Sequence, residues 1–279
     1  MRGQCLRSPG DEQHELHDQQ TAPRRAQRCD ALGGFRLFVD LERLGKAERQ
    51  AGRNTFISVH QLEDVARVRA AARRSPLMVR VNPLHEHTRS EVDAVLARGA
   101  DSLMLPMFQD AAQLQAFSAI VAGRAPIVPL LETAAALASV DTWAGTPGLQ
   151  EIYVGLNDLH LSLGCRFMFE PLADGSVERV ARVARDRGLR FGFGGIARLD
   201  EGLLPGRDVL GEHLRLGSGA VILSRTFHRD SGMDFEREIA ALRQAESELG
   251  ARTQAQVEAD AGRIAGRIRS IAAGLNARP

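Results

Sequence analysis

The chain has 279 residues, 44% of them hydrophobic, enough to bury one large core and within the size range of a single-domain α/β barrel. Lys and Arg number 36 against 35 Asp and Glu, so the net charge of +1 excludes bulk electrostatic attraction to nucleic acid or an anionic membrane. Cys5, Cys29 and Cys165 form no CxxC pair and no zinc or disulfide spacing, and no apolar run nears the roughly 18 residues of a membrane span, so a reducing cytoplasm is the expected compartment.

Residues 1–32 are polar, rich in Gln, Arg and Asp, and show a period of neither two nor 3.6, so they read as a disordered leader outside the fold. Their acidic residues argue against a transit peptide, and they lack the apolar h-region of a secretory signal. From Phe35 short apolar runs alternate with longer segments of helical period. The runs are FRLFVDLE (35–42), NTFISVH (54–60), LMVRVN (77–82), SLMLPMF (102–108), PIVPLLE (126–132), EIYVGLND (151–158), RFGFGGI (190–196) and GAVILSR (219–225). Segments such as QLEDVARVRAAARR and SVERVARVARDRG place Leu, Val, Ile and Ala at steps of three and four, the mark of amphipathic helices. The runs are almost continuously apolar, as in a parallel sheet covered on its outer face. Eight such strand-helix units predict a closed (β/α)8 TIM barrel over residues 33–232, with LERLGKAERQAGR as its least apolar crossover.

Residues 233–279 extend the fold by helices broken near Gly250. Leu242, Leu249, Val257, Ile264, Ile268 and Ile271 give them an apolar stripe, suited to the barrel's own base or to a neighbouring subunit in a homo-oligomer.

In a TIM barrel the βα loops at the C-terminal strand ends face one point. Arg80, Glu132 and Asp158 stand at such ends, 52 and then 26 residues apart, and Pro106 falls on the intermediate beat. Equal steps predict similar heights on successive strands about 4.8 Å apart, so two carboxylates and an arginine share one cavity. Like charges so close need a neutralising partner. Two readings follow: a Mg2+ site with two carboxylate ligands and its other positions left to water and substrate, or a structural Arg–carboxylate cluster.

These residues lie in VRVN (79–82), GADSLMLPM (99–107), PLLETAAAL (129–137) and GLNDLHLSLG (155–164). With FVDLE (38–42), the motifs resemble the HpcH/HpaI aldolase and citrate lyase β-subunit family, in order and spacing, over about residues 35–230. The resemblance implies a TIM barrel, Glu132 and Asp158 as ligands of Mg2+ or another divalent ion such as Mn2+, and Arg80 on the substrate's oxo oxygen. It implies carbon–carbon bond cleavage or formation beside a 2-oxo acid; a CoA-thioester lyase or hydrolase of the citrate lyase or malyl-CoA type is the alternative, and a ligand-binding barrel without turnover a third. Pro106, Asn157 and Asp158 are the further substrate contacts expected, with backbone N–H groups after Asn157 facing the substrate carboxylate.

Arg43 in DLERLGKAERQ stands where aldolases of the family carry histidine and citrate lyase-like members carry Asp, so the resemblance assigns no proton-transfer residue. Asp40, Glu42 and Arg43 are secondary candidates. Arg43, Lys46 and Arg49 read either as a basic loop meeting an anionic substrate or as a solvated helix face. His60 is a candidate general base or a satisfied rim histidine. His85 and His87, at i and i+2 in a loop, suit surface or cap roles, and His160 stands close behind Asp158. GFGG (192–195) lacks dinucleotide-binding spacing and reads as tight packing, Ser224 and Arg225 close strand eight where many barrels bind phosphate, Cys165 reads as inert and Trp143 as an anchor.

Overall fold

The computed structural model describes residues 3–5, 15–17, 23–46, 60–224, 227 and 235–275. Nine strands join in one sheet in the order β1-β3-β4-β5-β6-β7-β8-β9-β2. The outermost are short, β1 (Gly3–Cys5) and β2 (Glu15–His17). Between them run β3 (Leu37–Asp40), β4 (Leu77–Arg80), β5 (Ser102–Leu105), β6 (Ile127–Leu131), β7 (Glu151–Val154), β8 (Arg190–Ile196) and β9 (Ala220–Leu223), each parallel to the next.

Residues 54–59 of the expected second strand lie outside the described residues. β3 and β4 hydrogen-bond directly, with Asp40 opposite Arg80. Among the described residues the sheet β3–β9 therefore has seven parallel strands where eight were expected, and it forms a curled half-barrel. The curl follows from its two faces. Leu37, Val39, Leu77, Val79, Leu103 and Leu105 face the helices in the large core, whereas the alternate residues Phe38, Met78, Met104, Val128, Tyr153 and Ala220 share a second, inner cluster. Side chains from β3 and β9 can meet there only if the sheet bends round on itself.

The inner face is tied at two heights. Tyr153 on β7 reaches under β8 and β9, its hydroxyl 2.7 Å from the Gly194 carbonyl and accepting the Ile222 N–H at 3.1 Å. A Cβ on Gly192 would lie 2.6 Å from the Tyr153 ring, so RFGFGGI is glycine-rich to admit an aromatic. At the N-terminal strand ends Arg36, beside β3, donates to both Glu151 oxygens, at 3.0 and 2.7 Å, and the two side chains are 5% and 1% exposed.

Helices Leu62–Ala71, Thr88–Ala97, Ala111–Val121, Ser176–Asp186 and Gly206–Arg215 cover the outer face. In Ser176–Asp186, Val177, Val180, Ala181, Val183 and Ala184 are buried, the three-and-four spacing of an amphipathic helix. The leader assignment of residues 1–32 fails over Pro23–Leu32. That segment is a helix whose Ala26 and Cys29 are fully buried, and Asp30 accepts the Arg74 and Ser75 N–H groups in the turn before β4. Two small buried residues among arginines give little hydropathic signal, which hides this helix from pattern analysis.

Helices Phe235–Gly250 and Gln254–Leu275 pack on their own chain, against Gly206–Arg215 and the short helix Glu170–Ala173. Ile239, Leu242, Ile264 and Ile268 are buried there. No helix among the described residues is long and apolar enough to cross a membrane.

Candidate active site

Direct pairing of β3 with β4 sets the geometry. Asp40 and Arg80 end their strands side by side, and the guanidinium grips the carboxylate by Nε to Oδ1 at 2.9 Å and Nη2 to Oδ2 at 2.7 Å. Phe38 lies beneath, its ring centre 5.9 Å from the guanidinium carbon. Nη1 stands 3.4 Å from Glu42 Oε2 and is the Arg80 nitrogen left for a further acceptor. Lys46 Nζ bridges Asp40 Oδ2 at 2.9 Å and Glu42 Oε2 at 3.1 Å, with its side chain 4% exposed.

The loop carrying Glu42 and Lys46 is held from outside. The Arg43 and Leu44 N–H groups donate to Asn82 Oδ1 at 2.8 and 3.0 Å, and Asn82 Nδ2 donates to Glu91 at 2.7 Å. Arg43 donates to the His60 carbonyl, while His60 Nδ1 accepts the Asp40 N–H at 3.1 Å. VRVN thus supplies a site arginine and, two residues on, the asparagine that shapes the facing loop.

Glu132 follows β6 directly and is buried. Thr133 accepts the Ala136 N–H to start helix Ala134–Ala138 and donates to the Phe108 carbonyl, fixing the backbone beside Glu132. The Met107 N–H donates to Glu132 Oε1 at 3.0 Å from a left-handed backbone at φ +56°, a conformation that costs a non-glycine residue about 1 kcal/mol or more. Pro106 is buried just before it and leads β5 into that turn. A Cβ on Gly155 would stand 2.8 Å from Glu132 Oε2, so any side chain there would displace that carboxylate.

The strand expected over 151–158 ends at Val154, and helix Leu156–Ser162 begins two residues later with Asp158 in its first turn and Asn157 exposed. β6 and β7 are adjacent, with Leu131 opposite Val154.

Burial pushes the Asp40 carboxyl up, but Arg80 and Lys46 outweigh it and hold it far below the usual carboxylate range. Burial likewise opposes the Arg80 charge, and Asp40, Glu42 and Glu132 more than restore it. Glu132 goes the other way: burial first, then Glu42 and Asp158, raise its carboxyl well above its ordinary value against the opposing pull of Arg80. Burial lowers His60 to about 4, despite Asp40 and Asp64, so the ring is neutral near pH 7 and its Nδ1 orients the Asp40 backbone.

The structure brings Arg80, Glu132 and Asp158 into one electrostatic cluster, with Asp40 and Glu42 in it as well. It departs from the expected arrangement in binding Arg80 to Asp40 rather than across two strands to Glu132 and Asp158. Lys46 is neither on a solvated face nor open to an anionic substrate in a basic loop, because it is buried against two carboxylates; Arg49 lies outside the described residues. Lys46 and Asn82 are the site residues that spacing did not single out as positioners, although the i,i+4 step from Glu42 to Lys46 is their visible trace.

The other candidates have partners outside this cluster. His85 contacts Glu91 at 3.1 Å and His87 is exposed at the start of helix Thr88–Ala97. His160 Nδ1 lies 3.0 Å from the Leu156 carbonyl within its own helix. Burial, Glu170 and Asp174 raise the Cys165 thiol, which keeps it unreactive. Trp143 donates to the Ala136 carbonyl at 2.8 Å and packs edge-on to Phe108. Ser224 donates its N–H to Ile196, and Arg225 lies outside the described residues.

Among the described residues no group of three or more His, Cys, Asp or Glu side chains stands in ligand geometry. The donor chemistry nonetheless fits a hard divalent ion such as Mg2+: two carboxylates, Glu132 and Asp158, with a charge demand expressed in the raised Glu132 and coordination left to water and substrate.

A crystal structure of a HpcH/HpaI aldolase/citrate lyase family protein from Burkholderia cenocepacia superposes with a TM-score of 0.59 at 18% identity, covering 82% of this chain and 90% of that one. The citrate lyase β subunit complexed with oxaloacetate and magnesium from M. tuberculosis gives 0.52 at 20% identity, covering 80% and 92%. A (3S)-malyl-CoA thioesterase of Cereibacter sphaeroides is 33% identical over 97 residues, 34% of each chain, so this chain matches about a third of the length of its curated relatives. The family profile described as HpcH/HpaI aldolase/citrate lyase matches residues 23–190, and the chain belongs to that family.

Proposed function

We propose that the protein is a Mg2+-dependent carbon–carbon lyase acting next to a 2-oxo acid, with Glu132 and Asp158 as metal ligands and Arg80 as the donor to the developing enolate. The observation that carries this reading is geometric: Glu132, 2% exposed, follows β6 directly, is held by the Met107 N–H on Oε1, and stands one βα unit before Asp158 in the same charge cluster as Arg80. Bound there, a divalent ion supplies Lewis-acid stabilisation of enolate charge at the oxo oxygen. Arg80 holds a fixed positive charge over Phe38 and offers Nη1 to the same oxygen. Met107 and Gly155 set the Glu132 carboxylate, Met107 by its N–H and Gly155 by leaving it room. In this reading Pro106, just before the Met107 turn, and Asn157, beside Asp158, are assigned to substrate contact. Asp40 and His60 orient Arg80 and the β3 end and take no proton, since His60 stays neutral and Asp40 stays ionised near pH 7.

A second reading, turnover of a CoA thioester, is favoured by the malyl-CoA thioesterase similarity and by the absence of the aldolase histidine at Arg43. In both readings the protein works in a reducing cytoplasm as a homo-oligomer. Incubation with a panel of 4-hydroxy-2-oxo acids separates them. Pyruvate release abolished by EDTA and by Glu132→Ala supports the lyase. Turnover seen only with CoA thioesters moves the assignment to the second reading, and no turnover of either class leaves a ligand-binding barrel.

A further inference from the structure

We propose that Glu91 is a positioning residue for the candidate active site: it dictates which way the Asn82 amide faces, and that amide fixes the backbone of the loop after β3. That the loop borders a substrate rests on the lyase reading above; how the loop is held does not.

The end of β4 grips this loop at two points. Arg80 holds the Asp40 carboxylate, and Asn82, next but one along the chain, accepts the Arg43 and Leu44 N–H groups on Oδ1 at 2.8 and 3.0 Å. The Arg43 N–H belongs to the peptide unit that joins it to Glu42, and the Glu42 N–H donates to Asp40 Oδ1 at 3.1 Å. The backbone on both sides of Glu42 is thus tied to β4, through Asp40 and Arg80 before it and through Asn82 after it.

Two backbone N–H groups need an acceptor, so Oδ1 must face the loop and Nδ2 must face away. Glu91, in the first turn of helix Thr88–Ala97, receives the far side: its Oε1 accepts Nδ2 at 2.7 Å and the Asn82 N–H at 3.2 Å. A carboxylate offers no donor, so a reversed amide would set oxygen against oxygen at Glu91 and N–H against N–H at the loop. Glu91 is aimed from behind in its turn. The His87 N–H donates to His85 Nδ1 at 3.2 Å, which leaves the hydrogen of a neutral ring on Nε2, 3.1 Å from Glu91 Oε2. The His85 N–H donates to Thr88 Oγ1 at 2.8 Å, and Thr88 is fully buried.

Such a relay differs from packing in one respect: exchanging donor and acceptor at both ends of a bond restores it. Asn82→Asp keeps an acceptor for the loop but sets a second carboxylate oxygen against Glu91. Adding Glu91→Gln supplies the missing donor through Nε2 and leaves Oε1 for His85 Nε2.

Amide hydrogen exchange of the full chain, read at Arg43, tests the hold on the loop. Titration calorimetry with oxalate in saturating Mg2+ tests its meaning for the site. Glu91→Ala and Asn82→Asp are each expected to speed exchange at Arg43 about tenfold, as loss of one hydrogen bond does, with the β6 and β7 amides unchanged. Both should weaken oxalate binding about tenfold. Asn82→Asp/Glu91→Gln should bring exchange and affinity back within about threefold of the wild type. Unchanged exchange at Arg43 in the single variants, or a double variant that exchanges as fast as Asn82→Asp, overturns the role of Glu91. If a single variant does not fold, the double variant decides alone, and exchange at Arg43 about tenfold faster than in the wild type overturns the role. Faster exchange with unchanged oxalate affinity confines Glu91 to the loop and overturns its role in the site. Wild-type protein that binds no oxalate with Mg2+ overturns the lyase reading and the substrate part of this proposal, while exchange at Arg43 still decides whether Glu91 holds the loop.

Discussion

Glu132 is 2% exposed and carries a raised carboxyl, so its protonation state couples the site to stability. A folded-state value above the unfolded one contributes stability that is present below the ordinary carboxylate range and is lost as pH rises toward the folded value. His60, lowered to about 4, acts oppositely: stability rises with pH between about 4 and 6.5, the two ends of its titration. Above pH 7 only the Glu132 effect remains of the two. In EDTA, the wild-type melting temperature is therefore expected to sit below that of Glu132→Gln at pH 8, by calorimetry or dye-based melting. Mg2+ should raise the wild type and leave Glu132→Gln unchanged. Gly155→Ala makes a narrower test: its Cβ stands 2.8 Å from Glu132 Oε2, and displacing that carboxylate by part of an ångström should cut kcat about 100-fold with an unchanged circular dichroism spectrum. The convergence of Glu132 and Asp158 was legible from their 26-residue step because each follows its own strand, Glu132 directly after β6 and Asp158 in the first turn of the helix after β7. The Asp40–Arg80 grip was not, since the expected strand at 54–60 stood between their strands in the sequence reading and direct β3–β4 pairing puts them in contact. Nor was burial of Lys46, which sits in a polar segment and depends on two carboxylates converging in space.

At the scale of elements, apolar runs located all seven described parallel strands, because strands buried on both faces leave an unbroken hydropathic mark. Their ends were less legible. EIYVGLND holds a four-residue strand and a helix start, and its Gly155 marks the boundary through the room that Glu132 requires. The Arg36–Glu151 pair was invisible for a different reason: its members are 115 residues apart and meet only when β3 and β7 curl round the inner cluster. Arg190 Nη1, 3.6 Å from Glu151 Oε2, would compensate only part of the charge left by breaking this buried pair, so Arg36→Met is expected to cost about 3 kcal/mol in urea unfolding. Arg36→Met/Glu151→Leu should recover most of that loss. A cost under about 1 kcal/mol for the single change would show that the pair does not hold the sheet's curl.

At the scale of the molecule, the curled parallel sheet brings together residues that follow or end β3, β4, β5, β6 and β7: Asp40 with Arg80, the Met107 N–H with Glu132, and Asp158 within the same charge cluster. The C-terminal helices lie on the chain itself through Ile239, Leu242, Ile264 and Ile268. The order of motifs made this plan legible, because in a parallel barrel chain order is also spatial order. The central claim is that Glu132 and Asp158 hold a divalent ion against which a 2-oxo acid binds. Titration calorimetry of Mg2+ into the wild type and Glu132→Ala, each with excess oxalate, tests it most directly. The account predicts one ion per chain in the wild type and none in the variant. No binding by the wild type, or equal binding by both, would contradict it.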